Sequence, residues 1–291
     1  MGLWHRIEAA ISTKLAIPFQ ITSKQAVGGG SINAAVKITD GQRSFFVKFN
    51  SADLRDMFEA EAEGLMELQG SVIRVPNVVL FGTAEGYAYI VLENLALQSH
   101  GSHQQLGQNL ASLHRRTQAR FGWKRDNTIG STPQANHEHD HWCDFWAHQR
   151  LGFQLRLAAK NGHNGALERK GEYCLQRLNA WLSGYQPEAS LLHGDLWSGN
   201  YAFDEHGDPV IFDPAIYYGD RETDLAMTEL FGGFPREFYS AYEDAWPLDH
   251  GYAWRKILYN LYHILNHLNL FGGGYHSQAI GMMDRLIAEC G

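Results

Sequence analysis

The sequence has little of what marks a secreted, membrane-spanning or nucleic-acid-binding chain. Its three cysteines, Cys143, Cys174 and Cys290, are scattered and odd in number. They suggest no disulfide framework, and reduced thiols in a cytoplasmic protein are the expectation. No run of 18 apolar residues occurs, so neither a transmembrane helix nor a membrane partner is expected. The opening MGLWHRIEAAISTKLAIPF lacks a long apolar stretch and a small-residue cleavage site, so no signal peptide is expected. Gly2 is followed by Arg6, where a myristoylation site needs Ser or Thr. There is no basic block, the formal net charge is −8 and the pI about 6.0, so nucleic acid is not an expected partner. A Walker A loop, an internal repeat and a low-complexity segment are also missing.

What is present divides the 291 residues in two. Residues 1–95 read as β-rich. AVGGGSINAAVKITDGQRSFFVKFN, from Ala26 to Asn50, gives a glycine turn, a strand, an Asp40-Gly41 turn and a second strand. DLRDMFEAEAEGLMELQG reads as a helix ending at Gly70. VVLFGTAEGYAYIVLENL gives two more strands around Glu85-Gly86. Residues 96–291 turn helical, beginning with Leu106, Leu110 and Leu113 at helical spacing. Further helices are expected near 140–160, 165–183, 221–231 and 252–271. The expected fold is α+β, with a small β-rich first lobe and a larger, mainly helical second lobe.

The chemistry concentrates in LLHGDLWSGN, from Leu191 to Asn200, and in NYAFDEHGDPVIFDPA, which continues from Asn200. NYAF and VIFD are short strands, and DEHGDP between them is turn-rich. If Phe203 pairs with Val210, Asn200 falls opposite Asp213. Their Cβ atoms would then lie roughly 4.5–5.5 Å apart. An amide oxygen and a carboxylate at one spot suit Mg²⁺, with room left for phosphate oxygens. Asp195 stands just before, placed to face a substrate hydroxyl. An Asp, an Asn five residues later and then a strand-borne Asp is how kinases arrange a base and metal ligands. Alone, D-x-x-x-x-N is ordinary turn chemistry; the added Asp213, the His193-Gly194 lead and the two-lobe pattern reverse that reading.

The first lobe supplies an independent check. Lys48 lies inside the apolar strand FFVKF, where an unpartnered lysine is costly. The next helix puts Leu54, Phe58, Leu65 and Leu68 on one stripe, with Glu61 in its gap. The two charged intruders should pair, aiming Lys48 at nucleotide phosphates. Gly28, Gly29 and Gly30 form a turn followed by a strand rather than a helix. That excludes a Rossmann loop and matches a kinase glycine loop covering ATP. Its pattern departs from G-x-G-x-x-G, because Asn33 takes the last glycine's place. The second lobe also reads H-G-D rather than H-R-D, and has no A-P-E segment. A small-molecule kinase without a phosphorylation switch is expected.

These residues carry a resemblance to the fructosamine kinase family, in the aminoglycoside phosphotransferase branch of the protein kinase-like fold. GGGSIN, FFVKFN, FEAEAEGL, HGDLWSGN, IFDPAIYYGDRETDLAMTELFGGF and LNHLNLFGGGY all look like family blocks, and they run along nearly the whole chain. The resemblance implies ATP- and Mg²⁺-dependent phosphorylation of the 3-hydroxyl of ketosamines. These are small-molecule or protein-bound adducts of fructose, ribulose or erythrulose on amines. Asp195 would be the base, Asn200 and Asp213 the metal ligands, and Lys48 with Glu61 the phosphate-positioning pair. The Glu93 carbonyl and Leu95 amide would hold adenine. His193 and Asp224 would support the catalytic loop. Trp197, His267, Gln134 and Asn136 are the candidate acceptor-pocket residues. The alternation of His137, His139 and His141 with acids reads as a solvated loop. His263 and His267 lack the glutamate of H-E-x-x-H, which rejects a zinc protease. A kinase for another alcohol, such as an aminoglycoside or a choline-like amine, and a nucleotide-binding pseudokinase remain as alternatives.

Overall fold

A computed structural model describes residues 2–28 and 32–290. It divides into one unit of residues 1–101 with 202–214, and another of 102–201 with 215–291. The first break thus falls at 101 rather than 95, and a hairpin from the middle of the chain sits with the β-rich unit.

The first unit begins with helix α1 (Leu3–Leu15), which the β-rich reading of this region did not contain. Strands β1 (Ser23–Val27), β2 (Ala34–Thr39) and β3 (Ser44–Ser51) follow. After helix α2 (Arg55–Leu68) come β4 (Val78–Ala84) and β5 (Tyr87–Glu93). The five strands form an antiparallel sheet in the order β1-β2-β3-β5-β4. Alternation explains its two faces. Phe45, Val47, Tyr89 and Val91 share a core with Leu3, Ile7 and Ile11 of α1. Lys48 and Ile90, paired across β3 and β5, fall on the other face. The turn between β4 and β5 places Glu85 and Gly86 at φ 54° and 80°, the pair of positive φ values that a tight hairpin turn requires.

The second unit opens with α3 (His103–His114) and the short strands β6 (Thr117–Gln118), β7 (Asn127–Ile129) and β8 (Thr132–Gln134). Helix α4 (Trp142–Phe145) runs through a π-helical turn, Trp146–Leu151, into α5 (Gly152–Lys160). Then come α6 (Ala166–Trp181) and β9 (Ala189–Leu192). The chain next makes the hairpin of β10 (Tyr201–Phe203) and β11 (Pro209–Ile211). It returns at β12 (Tyr217–Gly219), and β12-β9-β6 form a small antiparallel sheet. Helices α7 (Glu222–Leu230), α8 (Arg236–Ala245), α9 (Tyr252–Phe271) and α10 (Tyr275–Cys290) complete the unit. Helix α9 is buried over most of its circumference, with Ile257, Leu258, Leu261, Ile264, Leu265 and Leu268 in the core alongside the polar Arg255, Asn260, His263 and Asn266. Among the described residues no helix is long and apolar enough to cross a membrane.

Candidate active site

In the first unit the expected ion pair forms. The Lys48 ammonium donates to Glu61 Oε1 at 2.6 Å and also to Asp213 Oδ1 at 2.5 Å. Burial alone would lower the lysine's pKa, but the Asp213 and Glu61 carboxylates outweigh it and hold the pKa above the ordinary lysine value. Burial pushes the Glu61 pKa up despite the lysine beside it. Lys48 is therefore charged, and it is shared between two acids that lie far apart in sequence.

Asp213 arrives there by a route the sequence did not predict. The hairpin turn closes with the Asp204 amide on the Asp208 carbonyl at 2.9 Å. Counted from that bond, Phe203 faces Pro209 and not Val210, so the register that set Asn200 against Asp213 is corrected by one residue. Asp213 lies beyond the end of β11, with φ 57° in the left-handed region. A non-glycine residue there is uncommon and needs its surroundings to hold it; the Lys48 bond is one such tie. The hairpin is held within its own unit by Gln98, which exchanges backbone bonds with Phe203, and by the Arg74 carbonyl, which accepts from the Ile211 amide. The Glu93 carboxylate is engaged by Arg74 at 2.8 Å and by Asn77 at 2.9 Å, the Glu93 amide donates to the Asn77 carbonyl at 2.8 Å, and Leu95 is half-buried. Gly28 is exposed at the end of β1. Gly29 and Gly30 lie outside the described residues.

In the second unit Asp195 follows a loop bound to a buried acid. Asp224 Oδ2 accepts from the His193 amide at 2.7 Å, and its Oδ1 accepts from the Gly194 amide at 2.8 Å. His114 lies 3.2 Å from the same carboxylate and is itself held by the Tyr242 hydroxyl at 2.8 Å. Burial acts to raise the Asp224 pKa, but His114, His193 and the backbone donors hold it below the usual carboxylate value. Gly194 has φ 82°, and a Cβ there would meet the Ala215 carbonyl oxygen at 2.0 Å, so only glycine fits. The His193 ring accepts from the Asp195 amide at 3.3 Å. Asn200 donates its side-chain amide to the Asp195 carbonyl at 2.8 Å and to Asp195 Oδ2 at 3.3 Å. Both side-chain donor contacts of Asn200 go to Asp195.

Of the acceptor candidates, Trp197 is 37% exposed and packs edge-on against Phe231 at 6.3 Å. His267 is half-buried, bonds the His263 carbonyl at 2.8 Å and lies 4.9 Å from the Phe231 ring. These two share an aromatic neighbour. Gln134 and Asn136 do not join them: they are 1% and 0% exposed, with their amides bonded inside the protein. Their expected place on a pocket wall is corrected to the interior. The residues missed altogether are Phe231, which carries no polar signal, and the His114–Tyr242 support, whose partners are distant in sequence.

The profile of the fructosamine kinase family, described as "Fructosamine kinase", matches residues 3–289. A probable ketoamine kinase of Synechocystis is 48% identical over 98% of this chain and 97% of its own. The chloroplastic protein-ribulosamine 3-kinase of Arabidopsis thaliana is 44% identical over 91% of this chain and 82% of its own. A crystal structure assigned to the fructosamine-3-kinases, from Haemophilus somnus, superposes with a TM-score of 0.90 at 28% identity, covering 98% of this chain and 100% of that one.

Proposed function

The chain belongs to the fructosamine kinase family, and on that premise we propose that it transfers the γ-phosphoryl group of ATP to the 3-hydroxyl of ketosamines. It is a phosphotransferase acting on a hydroxyl group. The observation that carries the finer reading is Lys48, held by Glu61 and Asp213 at once. A buried ammonium with two acids around it has the charge and rigidity to receive nucleotide phosphates.

In this reading the Glu93 carbonyl and Leu95 amide take adenine, and the Gly28–Gly30 turn covers the phosphates. Trp197 and His267 take the sugar. Asp195 accepts the proton of the 3-hydroxyl as its oxygen bonds to phosphorus, and the bond from phosphorus to the leaving ADP oxygen breaks. Asn200 fixes that carboxylate through its side-chain amide, while Asp224 and His193 hold the backbone before it. Mg²⁺, when bound, would neutralise charge on the phosphates. The half-exposed Asp213 carboxylate and the side-chain oxygen of Asn200 are hard donors of the type it prefers. We place the enzyme in the cytoplasm on its three free thiols.

The product has a fate that needs no second active site. Phosphate on C3 is β to C1, the enolisable carbon that bears the amine. Enolisation toward C1 expels phosphate from C3, and hydrolysis then separates the dicarbonyl fragment from the amine. The enzyme would thus remove sugar from glycated amines by phosphorylation alone. The test offers ATP with the ribulosamine or fructosamine of lysine, an aminoglycoside and choline. One ATP should be consumed per ketosamine. Free lysine and phosphate should then appear at a rate independent of enzyme concentration, followed by mass spectrometry. Turnover of the aminoglycoside or choline alone would replace the substrate class. Nucleotide binding with no turnover would make the chain a pseudokinase.

A further inference from the structure

The polar residues on β7 and β8 lie beside an unusual buried cation. Between α4 and α5 the helix widens into its π-turn, where the Gly152 amide donates to the Ala147 carbonyl. A Cβ at Gly152 would approach that carbonyl oxygen to 2.3 Å, so the wide turn depends on glycine. Such turns are frequent at functional sites. This one carries Arg150, which is fully buried. Among the described residues no carboxylate pairs with it. Its guanidinium instead donates to the Ala135 carbonyl at 2.7 Å and to Asn136 Oδ1 at 2.7 Å, and lies 3.9 Å from the centre of the Tyr217 ring. Its Nε has no acceptor. A buried cation without an acid is costly, and stability alone does not account for keeping one.

From Arg150 the bonds run toward the catalytic loop. Asn136 donates to Asn127 Oδ1 at 3.0 Å. Gln134 donates to the same oxygen at 2.8 Å and to the Ala215 carbonyl at 2.9 Å. Its own oxygen accepts from the Tyr262 hydroxyl at 2.7 Å. Asn127 donates to the Ile216 carbonyl at 2.8 Å. The Ala215 peptide is thereby fixed, and it is the surface on which Gly194 rests: its amide bonds the His193 carbonyl at 2.9 Å, and its carbonyl leaves no room for a Cβ on Gly194. The residue after Gly194 is Asp195.

We propose that Gln134, oriented by Tyr262 and anchored through Asn127 and Asn136 to Arg150, is a positioning residue that sets Asp195 by fixing the Ala215 peptide against Gly194. It acts from within the second unit, opposite in kind to the Asp224 contact, because it grips a carbonyl where Asp224 grips amides. The role rests on Asp195 being the base of the proposed phosphoryl transfer.

The test uses Gln134→Met and Tyr262→Phe in the full chain. Hydrogen exchange of the Ala215 amide is measured on the free protein, and kcat and KM for ATP with a ketosamine as acceptor. Displacing a reacting group by about 1 Å costs up to about 10²-fold in rate. We expect faster Ala215 exchange in both variants, kcat lower by at least about tenfold in Gln134→Met, and KM for ATP unchanged. If Gln134→Met does not fold, Tyr262→Phe, which removes only a hydroxyl, carries the test. Unchanged exchange at Ala215 overturns the proposal, as does faster exchange with unchanged kcat. If the unaltered protein turns over no ketosamine, the functional reading fails by itself, and the exchange measurement, which needs no substrate, decides the positioning of Ala215.

Discussion

The two units hold their key acids by opposite means. In the β-rich unit Glu61 and Asp213 bind a single ammonium, and the Asp213 side chain is 47% exposed. The Lys48–Glu61 pair is buried, but the Asp213 side has a face open to solvent, where a charged ligand can compete for the ammonium. In the helical unit Asp224 is 1% exposed and binds two backbone amides and a histidine. No ligand can replace those bonds, because they belong to the loop itself. The contrast separates groups that should govern nucleotide binding from groups that should govern the shape of the loop carrying Asp195.

The strongest way to break this contrast is at the acids nearest the chemistry. Asp195→Asn keeps the shape of the side chain and removes the proposed base. Its rate should fall by about 10²–10⁴-fold, with ATP binding nearly intact. Asp213→Ala should fail differently, losing rate and also weakening Mg²⁺-dependent ATP binding, since Lys48 loses one partner and the metal a ligand. Single-turnover rates and nucleotide titrations on the same preparations separate the two. An Asp195→Asn protein with more than about a tenth of the normal rate is incompatible with Asp195 acting as the base. An Asp213→Ala protein with an unaltered Mg²⁺ dependence is likewise incompatible with Asp213 as a metal ligand.

A smaller effect sharpens the comparison through stability. Asp224→Asn places an amide where two backbone N–H groups and His114 converge, and cannot satisfy all three. It should cost about 3 kcal/mol, as broken buried charge interactions do. Glu61→Gln leaves Lys48 with Asp213, keeps an oxygen that can accept from the ammonium and removes a buried charge that burial already disfavours, so it should cost less, about 1 kcal/mol, and act mainly by raising KM for ATP. Urea denaturation ranks the two. If Glu61→Gln proves the more destabilising, the division between ligand-facing pairs and loop braces is wrong.

Sequence patterns reveal the pairs made by local contrast and miss those made by distance. Lys48 and Glu61 stand out because each interrupts an apolar face, and their bond is 2.6 Å. The proposed roles of Asp195, Asn200 and Asp213 rest on their spacing, which says nothing of the conformation of Asp213. A positive φ at a non-glycine residue is imposed by tertiary partners, and the turn register that sequence suggests for the hairpin differs by one. Helix α1 is visible in principle: Leu3, Ile7 and Ile11 recur at i, i+4 and all three are buried. Testing the segment only for leader features passes over that helical period. Gln134 and Asn136 look like pocket residues because they are polar and sit among turns. Their burial is set by Arg150 and Ala215, which no local window contains.

The smallest effect concerns acid. The interior of the helical unit also holds His263, 4% exposed, whose ring Nδ1 has no hydrogen-bond partner. Burial, with His267 and Arg150 nearby, pushes its pKa down to about 3, against the opposing pull of Asp224. In the unfolded chain the same ring takes up a proton near its ordinary value of about 6.5. The folded value is depressed, so the contribution to stability is complete above about pH 6.5 and is lost as pH falls toward 3. For one such group the loss is about 1.4 kcal/mol per pH unit, or about 2 kcal/mol between pH 6.5 and pH 5. Other depressed histidines, His103, His139 and His267, add to the total, so the informative quantity is a difference. His263→Gln removes the titration without adding a charge. Urea midpoints taken at several pH values should fall less steeply toward acid for this variant than for the unaltered chain, even if it starts less stable at neutral pH. Parallel pH dependences would mean that His263 takes up its proton in the folded state, and that the core around α9 admits a charge despite its burial.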